Sequence, residues 1–232
     1  MKIHIFGDSH IGVLSRGWKE LNSSEIEIDF YGAHGVNWSN SQITETDSTI
    51  QLYQNAVQGS KPADYLILKN RDWYIVSTVL HSAPTYRHSA WKKYCPWQCA
   101  HNNPTLQAIS SEIIEQWVLD QCAPRLDVLW LLKSRGLNVA VIEPPKPLRQ
   151  ACELSGIKSD VLEAVSQIHR NRIIKWLNNR NIPVIRTPES TYDAAGFTEK
   201  KFTPSDHKDP HHGNYLYGME SMKEIVKFFN NV

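Results

Sequence analysis

The chain is predicted to fold as a doubly wound α/β structure, a parallel five-stranded sheet covered by helices on both faces. Three observations predict it. Short apolar or alternating runs at 2–6, 25–31, 73–80, 137–142 and 182–185 read as strands, and helix-patterned stretches separate them. Strands alternating with helices join through right-handed crossovers, which makes neighbouring strands parallel. A content of 41% hydrophobic residues with eight Trp in 232 residues is enough for one substantial core, so one domain spanning 1–232 is expected.

Taken in order, residues 2–6 form a strand that turns at Gly7-Asp8, and a helix starts at Ser9 and runs toward Leu21, with Asp8 or Ser9 as its cap. Residues 25–31 alternate Ile26, Ile28 and Phe30 with Glu25, Glu27 and Asp29, a strand that breaks at Gly32-Ala33-His34-Gly35. Residues 44–57 have helix-compatible spacing, and 73–80 is a β-rich run, with 65–68 before it as an alternative hairpin strand. From 104 to 135 apolar residues recur at three and four positions, and Pro124 divides the stretch into two helical pieces that end at Gly136. Residues 137–142 are a buried strand. Ser159 caps a helix to about Asn179, 182–185 is a short strand, and 214–230 closes the chain as a helix.

Charge excludes several function classes. Lys and Arg number 25 against 24 Asp and Glu, a net +1, so no overall field draws nucleic acid or anionic lipid. The start of the chain lacks the apolar stretch of a signal peptide and no run is long enough to span a bilayer, so a cytoplasmic protein without a membrane partner is expected. Cys95, Cys99, Cys122 and Cys152 are too few and too irregularly spaced for a disulfide framework. Cys95, Cys99 and His101 lack a second pair at zinc-site spacing, so unpaired thiols are expected.

In doubly wound sheets ligands bind beyond the carboxyl ends of the strands. That gathers the loops 7–10, 32–37, 80–88 and 143–148, and the segment 203–214 before the last helix can reach the same edge. Residues 82–103, rich in Trp, Tyr, Cys, Pro and His, look like an insertion over this crevice, a lid or a homo-oligomer contact. Trp38, Trp91 and Trp97 are candidates for stacking on a sugar or for core packing. Glu143-Pro144-Pro145-Lys146-Pro147 reads as a rigid crevice wall, and the helix face of His169, Arg170, Arg172 and Lys175 as solvated.

Two segments carry the chemistry: Phe6-Gly7-Asp8-Ser9-His10 and Asp209-Pro210-His211-His212-Gly213-Asn214. A serine hydroxyl becomes a nucleophile when an imidazole takes its proton and a carboxylate fixes that imidazole's tautomer, and a spacing of three lets base and orienter share one turn. The plainer reading makes the first segment only a capped turn and the second a polar loop.

These segments resemble the first and last blocks of the SGNH, or GDSL-like, hydrolase superfamily, whose members include esterases, carbohydrate acetylesterases and some acyltransferases. The resemblance follows the whole chain in order and is specific at the two ends. It implies a flavodoxin-like three-layer α/β/α sandwich with Ser9 as nucleophile, His212 as base and Asp209 as its orienter. The oxyanion hole would comprise the Ser9 N–H and a glycine N–H from the second block, Gly35 by count and Gly32 as the alternative. The third block departs from the family pattern. Where the family has an asparagine this chain has Ser77-Thr78-Val79-Leu80-His81-Ser82, so His81 is the expected donor by register, with Ser82 and His88 as alternatives.

The expected activity is cleavage of a small ester, with an O-acetylated carbohydrate as preferred class, using no metal and no organic cofactor. Three rivals remain at this point. Acyl transfer to a sugar would use the same triad. The missing asparagine suits a non-catalytic binding member of the fold. Asp8-x-His10 resembles the opening motif of calcineurin-like metallophosphoesterases, whose remaining metal motifs this sequence lacks.

Overall fold

The computed structural model describes residues 2–22, 26–32, 42–46, 49–53, 66–67 and 71–231. Its strands are β1 Ile3–Gly7, β2 Ile28–Gly32, β3 Gln42–Thr46, β4 Thr49–Tyr53, β5 Leu66–Ile67, β6 Trp73–Val76, β7 Tyr94–Pro96, β8 Gln107–Ile109, β9 Asn138–Ile142 and β10 Val184–Ile185. Its helices are α1 His10–Leu21, α2 Ala83–Tyr86, α3 Ser111–Ser134, α4 Arg149–Ser155, α5 Ser159–Asn178 and α6 Tyr215–Asn230.

The central sheet has the order β10-β9-β6-β1-β2, with every neighbouring pair parallel. Counted among themselves these five strands run 2-1-3-4-5, the flavodoxin-like order. They are the five strands expected from sequence.

Side chains alternate across the sheet, and that period of two divides the core in two layers. Ile3, Ile5, Ile75, Ala140, Ile142 and Ile185 pack with Ile11 and Leu14 of α1 and Met222 and Ile225 of α6. On the other face Phe6, Tyr74, Val76, Val139 and Val141 pack with residues of α3 and α5 such as Val118, Leu129, Val161 and Ile173. Residues 82–109 join this second layer through Trp91, Cys95 and Cys99, and all four cysteines are free thiols. Among the described residues no helix is long and apolar enough to cross a membrane.

Helices α1 and α6 lie side by side because each places a glycine at the contact. A Cβ on Gly17 would stand 2.2 Å from the Gly218 carbonyl carbon, and a Cβ on Gly218 would stand 2.2 Å from the Val13 carbonyl oxygen. Close packing here holds the N-terminal ends of both helices together, which positions Ser9 against His212. Alanine gains about 1 kcal/mol over glycine from helix propensity, but overpacking against backbone costs about 1–3 kcal/mol or more. Gly218→Ala is therefore expected to be a net destabilisation, read as a lower midpoint in urea unfolding. An unchanged or raised midpoint would show that the helices can part without loss.

Four sequence expectations need correction. Of residues 44–57, expected as a helix, 44–46 and 49–53 are strand and the rest lie outside the described residues: β3 and β4 pair antiparallel in the register Thr46↔Thr49 through Gln42↔Tyr53, and β5 adds to β4 rather than to β6. Ile43, Thr44, Thr46, Thr49 and Ile50 are β-branched, and pairing within a hairpin outweighed a helix-compatible spacing.

Pro124 does not break α3, which runs unbroken through it. The ring and the Asp120 carbonyl it leaves unserved lie on the exposed face, while Val118, Cys122, Leu126 and Leu129 are buried on the other.

Ser159 is the first residue of α5 rather than its cap; Lys158 holds the cap position. Lastly, the supposedly solvated face of α5 carries His169 and Arg170 at 1% exposure each. The Arg170 guanidinium lies 2.9 Å from Glu143 Oε1 and donates to the Pro144 and Pro145 carbonyls. Arg170 thus clamps the loop after β9 onto α5.

Candidate active site

Sheet order places a switch point between β1 and β6, where the chain turns to opposite directions along the sheet. The turn after β1 is tight because Gly7 has no side chain: a Cβ there would meet Ser77 Oγ at 1.9 Å. Asp8 caps α1, its Oδ1 accepting the His10 N–H at 3.0 Å, whereas the Ser9 side chain makes no cap hydrogen bond. Ser9 is therefore exposed at the helix start with its hydroxyl free for another partner.

That partner comes from the other end of the chain. Ser9 Oγ lies 2.5 Å from His212 Nε2, and His212 Nδ1 lies 2.8 Å from Asp209 Oδ2 and 2.9 Å from Oδ1. With the Nδ1–H donating to the carboxylate, Nε2 presents its lone pair to the Ser9 hydroxyl. Burial pushes the Asp209 carboxyl up, but the His212 ring and the backbone N–H groups of His211 and His212 overcome this and hold it below the usual range. Asp209 is fixed from behind, since Gln150 Nε2 donates to its carbonyl. Asn214 caps α6 by accepting the Tyr217 N–H, which anchors the end of this loop.

A second constellation adjoins the first. His10, His81, His211 and His212 form one cluster, with ring centroids 4.1 Å apart for His211 and His212, 4.5 Å for His10 and His81, and 4.8 Å for His10 and His212. His81 Nδ1 lies 2.9 Å from Asp8 Oδ2. A carboxylate only accepts, so neutral His81 carries its proton on Nδ1 and leaves Nε2 as a lone pair. Burial holds His10 well below the usual imidazole value and takes His211 down to about 4, aided by its histidine neighbours. Sequence reading did not bring these four rings together: His10 read as part of a turn or of the Asp8-x-His10 motif, and His81 as an oxyanion donor.

The remaining expected donors fall differently. Gly35 and Trp38 lie outside the described residues. Gly32 ends β2 against Ile11 and the Asp8 carbonyl. Ser82 is buried and its hydroxyl pairs with that of Ser166 at 2.8 Å. His88 accepts the Ala90 N–H and packs on Trp117, so neither it nor Ser82 turns to Ser9. Trp91 is buried in the core and Trp97 is exposed.

Beside Ser9 a cavity of about 480 Å³ opens between α1 and the loop before α6, lined by Val13, Arg16, Glu20, Ser205, His212 and Tyr215. On the α1 side Arg16 and Glu20 stand with Val13, and the opposite wall ends at Tyr215, an exposed aromatic.

No family model matches the chain, and no curated protein matches its sequence. Solved structures do match along nearly its whole length. A protein from Streptococcus pneumonia, provisionally named a platelet activating factor, aligns with TM-score 0.52 at 11% identity over 98% of this chain and 83% of its own. A GDSL-like lipase from Bacteroides thetaiotaomicron aligns with TM-score 0.48 at 11% identity over 99% of this chain and 87% of its own. A member of the lipolytic G-D-S-L family from Veillonella parvula gives TM-score 0.46 at 14% identity over the full length of both chains. The flavodoxin-like strand order and the overall fold are shared with the Streptococcus pneumonia structure. At such identities the fold is what is shared, and in this sheet the Ser9, His212 and Asp209 cluster stands at the switch-point edge.

Proposed function

We propose that the chain is a serine hydrolase of the SGNH type that cleaves small esters, with an O-acetylated carbohydrate as the preferred substrate class. The observation that carries this reading is the continuous path from Ser9 Oγ through His212 to Asp209: a 2.5 Å contact that joins residues 203 positions apart in sequence, and a 2.8 Å hydrogen bond between His212 and Asp209, three positions apart. In this reading Ser9 Oγ attacks the ester carbonyl carbon while His212 Nε2 takes its proton. The tetrahedral intermediate then collapses, His212 returns the proton to the leaving alcohol, and an acyl-Ser9 remains. Water, deprotonated by His212, releases the acid and restores Ser9.

The developing oxyanion is held by the Ser9 N–H at the positive end of α1 and by a second N–H, assigned to Gly35. His81 contributes only as an imidazolium with Asp8 as counter-charge, because its neutral form offers no N–H from Nε2. A cavity of about 480 Å³ with Arg16, Glu20 and Ser205 beside Val13 and Pro204 on its walls suits a small hydroxylated substrate, and Tyr215 offers a face for a sugar ring. A series of p-nitrophenyl esters from acetyl to octanoyl, together with acetylated sugars, tests this in EDTA. Acetyl esters are expected to turn over fastest; a preference for long chains would contradict the assigned substrate class, and no turnover of any ester would contradict the hydrolase.

A further inference from the structure

The histidine cluster holds an unexplained set of bare nitrogens. His10 is 3% exposed, and among the described residues neither of its ring nitrogens has a hydrogen-bond partner; His211 Nδ1 is likewise buried and makes no hydrogen bond, Asp209 Oδ1 lying 3.8 Å away. Leaving a buried polar group without a partner costs stability, so two adjacent ones call for a role. The hydrolase mechanism uses neither ring.

His10, His211 and His212 can each present one ring nitrogen so that all three lie within 4.8 Å of one another. Three imidazoles are the donor set of zinc and neighbouring transition metals, with Zn–N bonds of about 2.0–2.1 Å. Ligands at that bond length in a tetrahedron stand about 3.4 Å apart, so modest ring rotations close the set. One ligand is already supported as metal ligands usually are: His212 donates its other ring N–H to a carboxylate, Asp209. His211 and His212 are only partly buried, which leaves a way in from solvent.

We propose that His10, His211 and His212 form a binding site for a zinc-class divalent cation, and that the ion occupies His212 Nε2 in place of the Ser9 hydroxyl. Binding and proton acceptance then exclude each other, because one lone pair cannot serve both. Metal is thus a reversible inhibitor of whatever Ser9 does; this second consequence rests on the proposed hydrolase mechanism, while the binding itself does not.

The test begins with protein stripped by EDTA and dialysed, titrated with zinc against a colorimetric chelator at neutral pH, and with cobalt to read the visible band of a low-symmetry site. One equivalent is expected, and His10→Phe and His211→Asn are each expected to weaken it at least tenfold. His211→Asn guards against misfolding of the buried His10 variant. Zinc is also expected to slow fluorophosphonate labelling of Ser9, with EDTA restoring it. Absence of stoichiometric zinc, or an affinity unchanged in both variants, as for a site on the free cysteines, would overturn the site. Zinc binding with the expected variant effects but no Ser9 labelling under any condition would leave the metal site standing and remove the hydrolase.

Discussion

Replacing Ser9 by alanine is expected to lower ester turnover by about 10⁴–10⁶-fold while changing the unfolding free energy by no more than about 0.5 kcal/mol. The two effects separate for a structural reason. Serine at a helix start usually contributes about 0.5–2 kcal/mol as a cap, but here Asp8 accepts the first N–H and the Ser9 hydroxyl points to His212 instead. Removing it takes away the proposed nucleophile and leaves the helix terminus capped. Asp209→Asn is expected to lose about 10⁴-fold, since an amide presents an N–H where the His212 Nδ1–H needs an acceptor. Steady-state kinetics beside urea unfolding read both quantities. A Ser9→Ala protein retaining a tenth of the activity would remove Ser9 from the chemistry.

The largest effect on stability is expected at Glu143. Its side chain is 3% exposed and accepts the Thr187 N–H at 2.9 Å, with Arg170 at 2.9 Å and both Lys146 and Arg186 at 3.8 Å. Removing one partner of a buried pair costs about 3–5 kcal/mol because the other charge remains in a dry setting. Glu143→Gln leaves three cations facing one another, whereas Arg170→Met leaves Glu143 with two cations still beside it. Glu143→Gln is therefore expected to be the more destabilising of the two, and the reverse order in chemical denaturation would show that the Arg170 clamp on the Pro144 and Pro145 carbonyls outweighs the charge balance.

Acid lability follows from the same groups. Burial pushes the Glu143 carboxyl up, but Arg170 and Lys146 outweigh it and hold it at about 2 against an ordinary 4.5. A carboxyl lowered in the fold adds stability above its unfolded value, and that stability is lost as pH falls from about 4.5 through about 2. Burial holds His169 at about 3 against an ordinary 6.5, so the unfolded chain takes up a proton first and stability begins to fall below pH 6.5. Melting temperature is expected to decline from about pH 6.5 downward and more steeply below about 4.5 in wild type; the lower limb should flatten in Glu143→Gln.

Much of this was legible in the sequence because the signals were local. Each of the five sheet strands announces itself by a short apolar run, and the pairing of Asp8-Ser9-His10 with Asp209-x-x-His212 survives in space at hydrogen-bond distance. What was not legible depends on partners far along the chain. His169 and Arg170 look like surface residues until Thr85, Glu143 and the proline carbonyls are brought to them. Ser82 looked like a crevice residue until Ser166 claimed its hydroxyl. Residues 44–57 carry a helix-compatible spacing, and at 44–46 and 49–53 pairing between strands overrides it. The histidine cluster unites two turns and a loop more than 70 residues apart, which no local pattern reports.

The central claim, an activated serine served by His212, is tested most directly by fluorophosphonate labelling of the folded protein in EDTA with the modified peptide mapped by mass spectrometry. The expected result is a single adduct on Ser9 that is absent in Ser9→Ala and at least a hundredfold slower in His212→Ala. A folded protein that takes no label, or that takes it equally fast without His212, would contradict the account.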